Sequence, residues 1–226
     1  MKEEIKSEGK CIYCNETFSQ KEISNHLKRH LKEIEKEIPS GSDNSFHLYI
    51  HDGKMFLHVL TSGNASFKTL DTFLRKIWLD CCGHLSNFHH KSFKIGMSKK
   101  FNDVLSPRLK FEHEYDYGSS TYLTVNVIGK YDITTHNNIM LLSRNEPLKI
   151  LCSICGKRPA TIICIVHIGD EVEGFYCEDC EDKHKEECED FNDYAFLPVV
   201  NSPRMGVCGY EGGVIDKDRD GIYKGN

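Results

Sequence analysis

The sequence predicts an α+β fold: a mostly antiparallel sheet with one long helix against it, flanked by two small modules stapled by cysteine and histidine. Three observations predict it. Residues 46–60 alternate apolar and polar side chains around Asp52-Gly53, a hairpin signal. Residues 69–82 (TLDTFLRKIWLDCC) space their apolar side chains as a helix does. Cysteine and histidine pairs, drawn from eleven cysteines and twelve histidines, gather near the two ends of the 226-residue chain.

The first module is residues 1–38, which hold Cys11-x2-Cys14 and then His26-x3-His30. A hairpin knuckle supplying two thiolates and a helix offering two imidazoles at i and i+4 make a tetrahedral zinc site. Phe18 and Ile23 stand where such a module keeps its small core. Over residues 10–30 the sequence resembles the two-cysteine, two-histidine zinc-finger family, with eleven rather than twelve residues between Cys14 and His26. The missing residue falls between Phe18 and Ile23, so the turn into the helix should be tighter. A segment this short cannot bury enough surface to fold alone, and structural zinc contributes on the order of 10 kcal/mol. Ser19, Glu22 and Asn25, the outward positions, suit guanine poorly. Ile23, Leu27, Leu31, Ile34 and Ile38 extend an apolar stripe until Pro39 stops it. That stripe predicts docking, on the rest of this chain or on a partner protein, ahead of DNA reading.

Pro39-Ser40-Gly41-Ser42 reads as a flexible junction and opens the central region, residues 39–150. After the hairpin comes the helix, with Leu70, Phe73, Leu74, Ile77 and Trp78 inward and Gly83 ending it. A second strand pair, residues 109–115 and 122–128, is joined through residues 116–120, and residues 138–143 add a last strand. The run Ile77-Trp78-Leu79-Asp80-Cys81-Cys82-Gly83-His84-Leu85-Ser86-Asn87-Phe88 resembles the plasmid pRiA4b ORF-three-like family. So does Phe111-Glu112-His113-Glu114-Tyr115-Asp116-Tyr117-Gly118, whose closing turn is the most specific element. The resemblance spans roughly residues 45–145. It implies an α+β fold in bacterial or archaeal proteins, often from mobile elements, with no established activity.

Cys81, Cys82, His84, His89, His90 and His113 are the side chains here that offer nucleophiles and bases. On a continuous helix Cys81 and Cys82 point about 100° apart, so only one of them faces a given site. Cys82 then lines up with Trp78 as core, and the histidines read as exposed loop residues. Glu112, Glu114 and Asp116 alternate along one strand face and its turn, as a solvated sheet face does.

The third segment, residues 151–226, carries the strongest signal. Cys152-x2-Cys155 and Cys177-x2-Cys180, separated by 21 residues, supply four thiolates for a closed tetrahedral zinc site. Gly156 favours the knuckle turn. Cys164-x2-His167 and His184-x3-Cys188 alternate with those pairs, an order that resembles cross-brace modules such as B-boxes. Residues 161–168 (TIICIVHI) read as a strand, however, which puts Cys164 and His167 on opposite sides unless the chain kinks at Val166. The alternative is a simple zinc ribbon. The ending at residues 197–210 resembles a tail that accompanies such modules in related bacterial proteins, and its prolines and glycines imply a shaped loop. Cys208 is expected beneath that loop. Residues 216–226 read as frayed, and their aspartate-rich run lacks the closing glutamate of a calcium loop.

The three segments carry net charges of 0, +3 and -8, and the whole chain -5, which excludes a polycation built to coat nucleic acid. No stretch reaches the 18 or so apolar residues of a membrane span, and the charged first ten residues are no secretory signal. An odd cysteine count without an export signal points to a reducing compartment, the cytoplasm. The sequence therefore reads as a non-catalytic protein with two small zinc-stabilised modules and two or three zinc ions. It acts as an interaction or scaffold module toward a protein partner, with no membrane role. One alternative is a nucleic-acid-associated accessory of a mobile element or host-defence system, contacting through the finger and the +3 region. Another is a thiol-dependent enzyme built on Cys82, His84 or Cys208.

Overall fold

The computed structural model of the protein describes residues 5–37, 44–168, 174–190, 193 and 195–215. The junction at residues 39–42, Ile38 and the tail at residues 216–226 lie outside the described residues. Contacts divide the chain into two compact units. One comprises Ser7–Arg75 with His84–Glu146, so the finger shares a unit with the central sheet; the other comprises Met1–Lys6, Lys76–Gly83 and Pro147–Asn226.

In the first of these, β1 (Glu8–Lys10) and β2 (Thr17–Ser19) form the finger hairpin, and α1 (Ile23–Glu37) follows. Glu22 accepts the Ser19 backbone N–H at 3.3 Å and its hydroxyl at 2.5 Å, and its own N–H donates back to the Ser19 carbonyl at 3.0 Å. This reciprocal cap sets the short turn into the helix. β3 (Ser45–Asp52) and β4 (Met55–Ser62) make the central hairpin. Asp52 pairs with Met55, so the turn falls on Gly53 and Lys54, one residue later than expected. Gly53 takes a φ of +53°, which glycine adopts without steric cost.

Ser66 caps α2 (Phe67–Leu74) by accepting the Thr69 N–H. The helix does not run to Cys82. Its last turn widens into a π-helix over Arg75–Leu79 and stops there. The remaining elements of this unit are β5 (Ser86–His90), β6 (Phe93–Ile95), α3 (Phe101–Val104), β7 (Lys110–Tyr115), β8 (Thr121–Tyr131) and β9 (Ile139–Arg144). Seven strands form one sheet in the order β6-β5-β7-β8-β3-β4-β9, every neighbouring pair antiparallel. The α+β class is the fold observed. β5 and β6 replace the loop expected around His89 and His90; SNFHH has one strongly apolar residue and gave alternation little to register.

Both faces of the sheet are covered in part. Phe67 of α2 meets Phe88, Phe101 and Phe111 edge-on at 5.0 to 5.5 Å between centroids. On the opposite face, Ile23, Leu27 and Leu31 of α1 are fully buried with Phe56, Leu60, Tyr131, Ile133 and Leu142. The apolar stripe of the finger helix is thus spent on the protein's own sheet. At about 1.5–3 kcal/mol for each large side chain buried, it anchors the finger as firmly as many domain contacts. Backbone bonds add to it: Glu146 N–H to Glu8 C=O at 2.7 Å and Ile12 N–H to Leu142 C=O at 3.0 Å. Gly9 permits this approach, since a Cβ there would lie 2.7 Å from the Arg144 carbonyl oxygen.

The other unit is built on a three-stranded sheet in the order β11-β10-β12, from β10 (Ile162–Cys164), β11 (Phe175–Tyr176) and β12 (Phe196–Pro198), with α4 (Glu178–Glu187) between the last two in sequence. Ile150, Ala160, Ile163, Phe175, Leu197 and Val199 form its core. The shaped tail holds the segment that ends the π-helix. Ser202 Oγ donates to the Trp78 carbonyl at 2.7 Å, and the Val214 and Ile215 N–H groups both donate to the Lys76 carbonyl. A π-helical turn leaves carbonyls out of i→i−4 register, and here the tail takes them up.

Candidate metal centres

A tetrahedral zinc with bonds of 2.0–2.3 Å sets its ligand atoms about 3.3–3.8 Å apart. That spacing is the test for each cysteine and histidine group. Four groups have ligand atoms all within 4.8 Å of one another and could hold a metal ion.

The finger group is Cys11, Cys14, His26 and His30. Cys11 and Cys14 flank the hairpin turn, where the Asn15 N–H bonds to the Cys11 carbonyl and the Tyr13 N–H points at Cys11 Sγ from 3.4 Å. Cys14 Sγ lies 3.2 Å from His26 Nε2, which lies 3.1 Å from His30 Nε2. The two imidazoles share a face of α1, and Phe18 stacks on His26 at 3.9 Å between centroids. Packing against that ring holds its plane, and Nε2 is the nitrogen that faces Cys14.

The tetrathiolate group is Cys152, Cys155, Cys177 and Cys180. Gly156, at a φ of +61°, lets its N–H return to the Cys152 carbonyl at 2.8 Å and closes the first knuckle. Backbone N–H groups of Arg158 and Lys157 pull the Cys155 thiol down to about 6. The second knuckle opens α4: Cys177 is its N-cap, and the Cys180 N–H donates to the Cys177 carbonyl. Cys155 Sγ and Cys177 Sγ are 3.9 Å apart.

The third group is Cys164, His167, His184 and Cys188. The expected strand through residue 168 ends at Cys164. The chain then turns, with the His167 N–H on the Cys164 carbonyl at 3.2 Å, and this brings His167 Nδ1 to 3.3 Å from Cys164 Sγ. The kink needed to join the two therefore begins at Ile165, immediately after the strand. His184, in the last turn of α4, and Cys188, its C-cap, stand at i and i+4. Cys188 Sγ is 3.9 Å from Cys164 Sγ, and Tyr176 stacks on His184 at 4.1 Å. One short helix serves two groups, one at each end.

A further set was not read as a group in the sequence. Cys81, Cys82 and Cys208 also bring their sulfurs within 4.8 Å of one another. Neither Cys82 nor Cys208 is covered as expected: both are exposed. Because the π-helix stops at Leu79, Cys81 and Cys82 are not helical, and their sulfurs stand 3.7 Å apart instead of diverging. All eleven cysteines are thiols.

The other histidines have separate places. His113 is fully buried, with Nε2 3.0 Å from Asp71 Oδ1. His89 Nε2 pairs with Glu112 at 3.0 Å, and His90 Nδ1 bonds the Lys110 carbonyl at 2.7 Å. These contacts knit β5 to β7 and α2 to the sheet. Among the described residues, no helix is long and apolar enough to cross a membrane.

No family model matches the chain, and no curated protein matches it. A crystal structure of a protein of unknown function from Methanosarcina mazei Go1 aligns with a TM-score of 0.37 at 16% identity, over 45% of this chain and 67% of that one.

Proposed function

We propose that the protein is a zinc-stapled scaffold that works by docking a protein partner. The observation that carries this reading is the closure of the finger, tetrathiolate and Cys164-His167-His184-Cys188 groups on four protein donors each. Soft thiolates with imidazoles at tetrahedral spacing suit zinc, and a sphere closed by protein leaves no position for water or substrate. Such sites supply folding energy rather than catalysis. Eleven thiols and no disulfide fit a reducing compartment such as the cytoplasm. The resemblance of residues 45–145 to the pRiA4b ORF-three-like family belongs to this reading, as a fold without an assigned activity. The partner surface that fits is basic, facing the -8 of residues 151–226.

Native mass spectrometry of the full chain, with elemental analysis, tests the reading. At least three zinc ions per chain are expected, and zero or one overturns it. A salt-dependent mobility shift with DNA or RNA would replace the protein partner by a nucleic acid.

A further inference from the structure

Cys81, Cys82 and Cys208 are the cysteines that the three quartets leave over, and 126 residues separate Cys82 from Cys208. They nevertheless meet. Cys82 Sγ lies 3.7 Å from Cys81 Sγ and 3.7 Å from Cys208 Sγ. These are the edge lengths of a zinc–thiolate tetrahedron, and close to the 3.9 Å separations in the other two cysteine-rich groups. We propose that the three thiols form a fourth metal site, a three-thiolate cradle for a soft divalent cation such as zinc.

Two features of the surrounding chain support a ligand role. The first is the backbone. Each of the chain's three Cys-Gly pairs puts its glycine at positive φ: Gly156 at +61°, Gly83 at +80° and Gly209 at +63°. At none of the three would an added Cβ meet anything within 4 Å, so the glycine serves the turn and not a close contact. The positive-φ glycine that follows Cys155 in the tetrathiolate group thus recurs after Cys82 and after Cys208. Cys208 itself takes a φ of +52°, where a residue bearing a Cβ is disfavoured and glycine is at home. A thiol persists there between Val207 and Gly209, which is intelligible if the sulfur is what the position requires.

The second feature is charge. Three thiolates on a divalent cation leave a net charge of about -1 by formal counting. Arg204, fully buried, aims its guanidinium at Cys81 Sγ from 3.7 Å. Buried charge is found beside a compensating charge, and thiolate is the form that supplies it.

Binding would release one proton from each thiol to solvent, with no electron transferred. Since Cys82 and Cys208 are exposed, this ion should be the first to leave when a chelator is titrated in.

The full chain, purified with reductant, is measured by native mass spectrometry beside Cys208→Ser. Four zinc ions in the wild type and one fewer in the variant are expected, one for each group of ligands. Alkylation of the unmutated chain, mapped by peptide, guards against a variant that fails to fold. Cys81, Cys82 and Cys208 should react slowly, and at the rate of a simple thiol once chelator removes the first ion. Three ions in both proteins, with those thiols reactive from the start, overturns the fourth site and leaves the scaffold reading standing. An unchanged count of four in Cys208→Ser, or a disulfide among the three thiols in the protein as purified, overturns it equally. A count of zero or one overturns both.

Discussion

His113 Nε2 lies 3.0 Å from Asp71 Oδ1, and both side chains are fully buried between α2 and the sheet. The Asp71 carboxylate also accepts Arg75 Nε at 3.0 Å and the Ser86 hydroxyl at 2.5 Å. Burial works to raise its pKa, but the hydrogen bonds from His113 and Ser86 outweigh burial and hold the carboxyl well below its usual range. Asp71 therefore stays ionised and joins the start of the π-turn, β5 and β7 at one point. Removing one partner of a buried charged network costs about 3–5 kcal/mol. Asp71→Ala should destabilise the chain by that amount in urea unfolding, and a loss below about 1 kcal/mol would mean the network is cosmetic.

Acid sensitivity should come from a different pair. His47 and His58, on β3 and β4, share a hydrogen bond of 2.9 Å beneath the finger helix, both fully buried. Burial pushes His47 down to about 3, and pushes His58 well below its ordinary value. Folded, both rings stay neutral; unfolded, each takes a proton as pH falls through about 6.5. The stability they contribute is thus complete above that pH and declines by about 1.4 kcal/mol per pH unit per histidine below it. His58→Leu removes one of the two protons. The stability difference between wild type and His58→Leu should fall by about 1.4 kcal/mol per unit between pH 6 and 5. A constant difference over that range would sink the assignment.

The finger's attachment can be tested without touching its ligands. Leu27 is fully buried against the sheet, on the stripe it shares with Ile23 and Leu31. Leu27→Ala should cost about 2–5 kcal/mol, as large-to-small core changes do. The number of bound metal ions should not change. Hydrogen exchange should quicken across α1 while β3 and β8 stay protected. If the variant lost metal and the helix kept its protection, the stripe would not be the anchor.

Which parts were legible in the sequence follows from the range of the interactions. Cys11-x2-Cys14 and Cys152-x2-Cys155 are local knuckles, so spacing alone displays them. The Cys81, Cys82 and Cys208 cradle joins residues 126 apart, and no spacing encodes it. It was further hidden by the π-turn at Arg75–Leu79, whose residues carry a continuous helical pattern until the tail captures the Lys76 and Trp78 carbonyls. The alternation of residues 46–60 placed β3 and β4, whereas β5 and β6 form by pairing with β7 and lack a pattern of their own. Asp71 did leave a signal that went unread. A carboxylate four residues before Arg75, within an apolar helix face, asks for a buried counter-charge.

The third metal group depends on a backbone turn as much as on its ligands. Gly174 has a φ of +91°, and a Cβ there would lie 2.8 Å from the His167 carbonyl oxygen and 2.9 Å from that of Cys164. Its own carbonyl accepts the Cys164 N–H at 2.8 Å. Alanine at this position meets both penalties, an unfavourable φ and two carbonyls that cannot move without carrying Cys164 and His167 with them. The conformational part alone is about 1–3 kcal/mol. Gly174→Ala should therefore lower metal occupancy by one ion per chain and leave the tetrathiolate and finger ions in place. Native mass spectrometry gives the count, and peptide-mapped alkylation shows which thiols became reactive. Exposure of Cys164 and Cys188, with Cys152 and Cys180 still protected, is the expected pattern. Protection of all four would mean that the Gly174 turn does not set the third group, and simultaneous exposure of all four would mean that the two groups in this unit do not dissolve separately.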